Sequence, residues 1–287
     1  MASDEISLDK KKGYLEEDFL FFHLKDARYF DFQFHYHDFH KLVIFLSGDV
    51  TYLIEGKFYK LRPWDMLFVS NTDFHKAIIS SHSMYERIIL WIKPSFVEKY
   101  TYETCNLLTC FEEASKFRNS LLRLDSSSQK ILKPILAKLE KASKDTGFGS
   151  DILKNASFLE LIVWLNRLFL NSEEKENIVD IAYDTRIQQV LNYINADLKK
   201  SLSIEHLSNQ FFLNKYYLMH LFKEQTGYSI HQYIQKKRLL LASLLLKEGK
   251  QATEVCSSCG FGDYSSFIRA FKKEFGLSPK KYYESSL

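Results

Sequence analysis

Between residues 30 and 93, apolar and polar positions come in short stretches, KLVIFLSG, VTYLIEG, KFYKL, DMLFVS and YERIILWI. Gly48-Asp49, Glu55-Gly56-Lys57 and Pro63-Trp64-Asp65 break them up. Stretches of this length and spacing predict antiparallel strands in a small sandwich or barrel. The period then changes. From about residue 112 to residue 170 apolar residues recur at three and four, as in Ile152, Ala156, Leu159 and Val163, which predicts helix with Asp151 as an N-cap. The run DILKNASFLELIVWLNRLFL is apolar on more than one face, so it packs either inside its own domain or across a subunit interface. Residues 171–185, NSEEKENIVDIAYDT, are polar without a period and read as a linker. Beyond them the pattern is helical, starting with Ile187, Val190, Leu191, Ile194 and Leu198 on one face.

Length and charge sharpen this outline. A chain of 287 residues that is 46% hydrophobic and 26% charged predicts two packed domains. No apolar run approaches the roughly 18 residues that span a bilayer, and the N-terminus has no apolar leader core, so no membrane association and a cytoplasmic location are expected. Four cysteines in a chain of this length are too few for a disulfide framework. The net charge of +3 is unevenly spread: from Asp184 onward there are fifteen Lys and Arg against nine Asp and Glu, and before it 24 against 27. Only the C-terminal third is basic, which suits either a polyanionic partner there or a plain solvated surface.

That third also repeats itself. FKEQTG at 222–227 returns as FKKEFG at 271–276, and a shift of 49 residues gives eight identities over 203–234, including Glu205/Glu254, Ser208/Ser257, Phe212/Phe261, Phe222/Phe271 and Gly227/Gly276. Each copy predicts a short helix, a turn and a second helix: Ser203 and Asn214 as caps with Gly227 as a stop, then Thr253–Cys259, a Gly260-Phe261-Gly262 turn, and Asp263 capping a helix that runs to Gly276. This is helix-turn-helix spacing. Between the copies lies SIHQYIQKKRLLLASLLLKEG, whose second half has no polar face and predicts a helix buried on all sides, acting as a stiff spacer. Such a spacer lets both second helices enter successive major grooves of one duplex, ~34 Å apart.

At this point the residues resemble the AraC/XylS family of bacterial transcription regulators, most specifically over residues 186–284. CSSCGFGDYSSFIRAFKKEFGLSPKKYY has that family's Gly-Phe turn, Phe-x-Arg-x-Phe-Lys helix and Gly-x-Ser-Pro before an aromatic pair. The resemblance implies base contacts from Tyr216, Met219 and His220 in the first unit and from Tyr264, Ser265 and Arg269 in the second. Arg269 has the best chemistry, since a guanidinium pairs bidentately with guanine O6 and N7. His220 stands where the family often has Arg. Lys215, Lys223, Lys272 and Lys273 are expected on phosphates, adding affinity and salt dependence without sequence information.

The N-terminal HYHDFHKLVIFLSG and LRPWDMLFVSNTDFHKAI resemble the cupin barrel found at the front of many family members. His35 and His37 share a strand face by period two, and His75 sits where a later metal-ligating histidine stands in metal-dependent cupins. Lys41 occupies the carboxylate position, which disfavours a metal. The expected alternatives are an effector pocket lined by His35, His37, Trp64 and His75, or satisfied core histidines. Cys256 and Cys259 fall where the family carries small buried side chains, so a thiolate metal site is not expected.

The resulting expectation is an α+β chain of two domains. A cupin-like sensor barrel spans 1–110, a helical dimerisation segment 111–170, a linker 171–185 and an all-α double helix-turn-helix domain 186–287. The expected function is a regulator rather than an enzyme, without cofactor. Its expected partners are double-stranded DNA, a small-molecule effector, a second copy of itself and RNA polymerase. By resemblance the effector is a sugar and the regulator an activator of carbon-source genes.

Overall fold

The computed structural model describes residues 15–26, 34–79, 84–117, 119–172 and 185–284. The chain divides into two compact units between Ile181 and Ala182; residues 173–184 of the expected linker lie outside the described residues.

In the first unit the expected strands form as β2 (His40–Ser47), β3 (Val50–Ile54), β4 (Lys57–Lys60), β5 (Met66–Val69) and β7 (Tyr85–Ile92). Three more join them: β1 (Phe19–Asp26), β6 (His75–Ile79) and the short β8 (Leu121–Leu122). One sheet runs in the order β1-β7-β2-β5-β8 and the other β4-β3-β6. Among the described residues these remain two facing sheets rather than one hydrogen-bonded cylinder, so the expected barrel is an open one. Period two sorts the side chains of β2. Val43 and Phe45 enter the core between the sheets with Tyr52, Ile54, Leu67, Val69 and Tyr85. Leu42 and Ile44 face the other way, into a core shared with helices.

Those helices are α1 (Pro94–Glu98), α2 (Thr109–Lys116), α3 (Ser126–Lys144) and α4 (Ser150–Asn171). Phe158, Leu161, Ile162, Leu165 and Phe169 of α4 are buried in the sheet-helix core, whereas Ile152 stays 74% exposed. Asp151 is not the cap of α4. That position belongs to Gly149, whose φ of 73° suits glycine, and Asp151 sits in the first turn, where its charge favours the helix dipole. Asp125 caps α3 by accepting from the Ser128 amide.

Asn166 fastens α4 to the start of α2. Its Oδ1 accepts from the Cys110 amide at 2.9 Å and its Nδ2 donates to the Leu107 carbonyl at 2.8 Å, all in buried surroundings. Asn166→Leu keeps the volume but strands both backbone groups. It is expected to cost about 2–4 kcal/mol in the unfolding transition of this unit, measured by denaturant titration.

His40 is buried against the Phe111 ring, its Nδ1 accepting from the Asn71 amide. Burial pushes its pKa down to about 3 from 6.5. Between those values the unfolded chain holds the proton and the folded chain does not, so stability falls as pH drops through that window and is whole above it. The thermal midpoint of wild type should decline on acidification below about pH 6.5, and His40→Gln should make that decline shallower.

The second unit is helical among its described residues: α5 (Thr185–Ala196), α6 (Ile204–Gln210), α7 (Lys215–Thr226), α8 (Ile230–Lys247), α9 (Ala252–Ser258), α10 (Tyr264–Phe275) and α11 (Pro279–Glu284). Ile187, Val190, Leu191 and Ile194 are buried on one face of α5, as the period predicts. Leu198 lies past the end of that helix, and its carbonyl accepts from Arg238 Nε at 2.9 Å.

The spacer helix α8 serves two cores. Tyr233 in its first half meets Phe222 of α7 edge-on, at 5.6 Å between ring centroids, and bonds Asn195 of α5. Leu239, Ala242 and Leu246 in its second half pack with Val255, Cys256, Cys259, Phe267 and Phe271. The all-round burial expected for that half is incomplete, because Leu241, Leu244 and Leu245 are only half-buried.

Candidate nucleic-acid interface and imidazole cluster

The second helix of each unit is started by a side-chain cap, and in the first unit the first helix is as well. Ser203 accepts from the His206 amide, Asn214 from the Tyr216 amide, and Asp263 from the Ser266 amide. Gly227 and Gly276 end α7 and α10 with φ of 74° and 75°, in the left-handed region. α9 starts one residue before the expected Thr253, with Gln251 at its N-cap.

The geometry also corrects the repeat register. α7 and α10 correspond with the 49-residue shift, but α6 and α9 correspond with a shift of 48, because the second turn is one residue longer. Ser208 therefore matches Cys256, and each bonds the turn in the same way: Ser208 Oγ to the Leu213 carbonyl at 2.5 Å, Cys256 Sγ to the Phe261 carbonyl at 3.8 Å. Identities such as Ser208/Ser257 and Phe212/Phe261 are coincidences of sequence. Phe212 takes the left-handed conformation (φ 53°) that glycine supplies at 260 in the second turn. A Cβ at Gly260 would stand 2.5 Å from the Leu198 carbonyl, so that turn is pressed against the segment after α5.

Burial of Leu218 and Phe222 on α7, and of Phe267 and Phe271 on α10, turns the opposite face of each helix to solvent. Tyr216 is 79% exposed, and His220 and Lys223 follow it along α7. Met219 is half-buried. On α10 the exposed residues include Tyr264, Ser265, Arg269, Lys272 and Lys273. The 49-residue shift superposes His220 on Arg269 and Lys223 on Lys272. Arg269 lies along its helix with an Nη 3.3 Å from Ser266 Oγ. Two partners bear on the first unit: Lys215 is paired with Glu205 at 2.9 Å, and His220 Nδ1 lies 3.9 Å from Glu224.

Sequence reading missed a groove of about 670 Å³ bounded by the segment after α5, the first half of α8 and the second turn. Lys199, Lys200, His231 and Arg238 line it, with no carboxylate among the lining residues. Arg238 also holds the Lys200 carbonyl at 3.0 Å. The lysines and Arg238 come from two short runs, Lys199-Lys200 and Lys236-Lys237-Arg238, that lie far apart in sequence, so no single local signal marks the groove.

In the first unit, three of the four expected pocket residues come together. His35 and His75 exchange backbone hydrogen bonds at 3.2 and 2.9 Å. Their rings lie 4.4 Å apart, and His37 lies 4.8 Å from His75. His37 and His75 are 4% and 0% exposed. Each imidazole faces a backbone carbonyl with Nδ1, His37 that of Phe39 and His75 that of Asp73. A carbonyl only accepts, so Nδ1 carries the proton and Nε2 is left as a bare acceptor. Burial first, then the nearby charge of Lys41 and the neighbouring histidines, hold both pKa values well below the ordinary range, so both rings are neutral. Trp64 is elsewhere: it packs against the sheet-helix core, with the Lys133 ammonium 4.3 Å from its ring centroid. No group of three or more His, Cys, Asp or Glu among the described residues is disposed to hold a metal ion. Burial raises the Cys259 thiol to about 12 and also raises Cys256, so both are protonated.

Comparison with known proteins agrees with both halves of this description. The family model for an AraC-like ligand binding domain matches residues 20–162, and one for a helix-turn-helix domain matches residues 207–285. The chain is 25% identical over 250 residues to a probable transcriptional regulator, LumQ, of Photobacterium leiognathi, covering 87% of this chain and 91% of that one. It is 25% identical over 247 residues to the HTH-type transcriptional activator RhaS of Klebsiella pneumoniae, covering 86% and 85%. A solved structure of a probable AraC family transcriptional regulator from Rhodopseudomonas palustris shares 27% identity over 36% of this chain and 97% of its own, with a TM-score of 0.33. With a ligand-binding-type domain ahead of two capped helix-turn-helix units, the chain belongs to the AraC family of DNA-binding transcriptional regulators.

Proposed function

We propose that this regulator reads two successive major grooves of one duplex with α7 and α10, and that a small molecule bound between the sheets of the first unit sets its occupancy of DNA. The observation that carries the reading is the pair of capped helices, each with its polar face outward and its apolar face anchored on the same connecting helix. Tyr216, Met219, His220, Tyr264, Ser265 and Arg269 are the base-reading set. Lys215, Lys223, Lys272 and Lys273 sit on phosphates, joined by Lys199 and Lys200 of the basic groove, which suits the backbone running between the two grooves.

Further parts of the reading follow from the same layout. Ile152, Leu153 and Leu170 of α4 are exposed apolar residues, which supports use of this helical layer for dimerisation. RhaS, by its name a transcriptional activator, supports activation; we extend this to carbon-source genes, a cytoplasmic location and contact with RNA polymerase. An effector shifts DNA occupancy only if it binds one arrangement of the protein more tightly than another, so the effector site and the DNA site must be energetically coupled.

The prediction concerns Arg269→Ala. Competition binding against cognate and random duplexes should show a loss of about 1–3 kcal/mol on the cognate site, with nonspecific affinity largely kept. Equal losses on both duplexes would make Arg269 a backbone contact and remove it from the base-reading set.

A further inference from the structure

A row of unmet polar groups ends the core between the two sheets. Among the described residues, His37 Nε2 and His75 Nε2 are buried acceptors with no donor, and Trp91 Nε1 is a buried donor with no acceptor. Trp91 belongs to the same neighbourhood: its ring is 4.8 Å from Phe39, which stacks on His37 at 4.0 Å. Lys41 pairs directly with Trp91 across β2 and β7, and two residues before Val43 it shares that residue's inward face. Its ammonium lies 5.8 Å from the Tyr52 ring centroid, and no ion pair to it is found among the described residues. Arg87, the next inward-facing cation, is already neutralised by Asp26 at 2.6 Å.

Buried polar atoms without partners are rare enough in folded proteins to require an occupant. The requirements here are specific. Two neutral imidazole nitrogens call for two hydrogen-bond donors. An indole N–H and an ammonium call for an acceptor bearing negative charge. A neutral sugar supplies the donors and leaves Lys41 without a counterion. A plain fatty acid supplies the charge and leaves the imidazoles bare. A divalent cation would suit the two Nε2 atoms, but it is repelled by the Lys41 ammonium.

We infer that the site takes a small hydroxylated carboxylate, with its carboxylate on Trp91 Nε1 and Lys41 and its hydroxyls donating to His37 and His75. This rests on the reading of the first unit as the sensor and adds the ligand's chemical class. It also gives Lys41 and Trp91 a recognition role.

The test is calorimetric titration of the full-length protein at pH 7.5 with three groups of probes: D-galacturonate, D-gluconate and L-tartrate; D-galactose and sorbitol; hexanoate and Ni²⁺. At least one hydroxy acid should bind, and both Lys41→Met and Trp91→Phe should weaken it by about tenfold or more, in keeping with a lost charge-assisted bond. Lys280→Ala, an exposed position in the second unit, should bind it like wild type. The two site variants are accepted only if their thermal midpoints without ligand match wild type, and each serves as the check if the other fails to fold. Binding of galactose, sorbitol or hexanoate at this site in place of the acids, or hydroxy-acid binding indifferent to both substitutions, overturns the ligand class while leaving a sensor in place. Stoichiometric Ni²⁺ binding abolished by His75→Gln overturns it in favour of a metal. Silence from every probe, with native mass spectrometry of protein purified from cells showing the bare chain mass, overturns both the class and the sensor reading.

Discussion

The second unit depends on one constraint: a single helix, α8, must bury both of its halves, and it does so mainly against the two helix-turn-helix units, with Tyr282 of α11 completing the second core. Tyr233 is held by the first and Leu239, Ala242 and Leu246 by the second. Neither unit has enough apolar surface for an independent core, since α6 and α9 are 7 residues each. The shared helix gives each a third wall. Burying a leucine side chain is worth roughly 1.5–3 kcal/mol, so the residues that stabilise the domain also fix the orientation of α7 and α10. The Lys236–Glu274 ion pair at 2.5 Å and the pressing of Gly260 against Leu198 close the same joint from two other sides. Recognition follows from this. Side chains that face water on α7 and α10 are those left over when Leu218, Phe222, Phe267 and Phe271 go inward.

The first unit uses its sheets differently on their two sides. The helix-facing side of the five-stranded sheet is an ordinary packed layer of Leu42, Ile44, Phe68, Leu90 and their helical neighbours. The inward side is apolar along most of β2 but turns polar at one end, where Lys41, Trp91, His37 and His75 converge. Ring contacts from Phe39 position His37 and Trp91, and backbone carbonyls fix the imidazole tautomers. Those neutral rings are costly to bury without partners, which is the usual condition of a site waiting for a ligand.

Much of this was legible in sequence because period and punctuation act locally. The alternating stretches around Gly48 and Gly56 became strands, and Ser203, Asn214 and Asp263 became caps, since each needs only its near neighbours. Non-local facts were harder to read. β1 and β6 carry weaker alternation than their neighbours and are defined by their partners β7 and β3. Asp151 has cap chemistry, but Gly149 alone tolerates the backbone that starts α4. The 49-residue repeat concealed a one-residue insertion, because identities at Ser257 and Phe261 fit the wrong register while burial of Cys256 fixes the right one. His35, His37 and His75 were recognised as a group, but Trp64 was not separable from them by sequence. Lys41 was legible only as a departure from a metal site, and its nearness to Trp91 comes from their pairing across β2 and β7. The groove lined by Lys199, His231 and Arg238 draws on three separate segments.

The most direct measurement of the central claim, that one rigid domain grips two turns of DNA, is methylation interference on a bound cognate site, followed by binding to the same site with five base pairs inserted at its centre. The account predicts two protected major-groove tracts about 10 base pairs apart on one face of the duplex, and loss of binding when the insertion rotates them by half a turn. A single tract, or undiminished binding to the lengthened site, would contradict it.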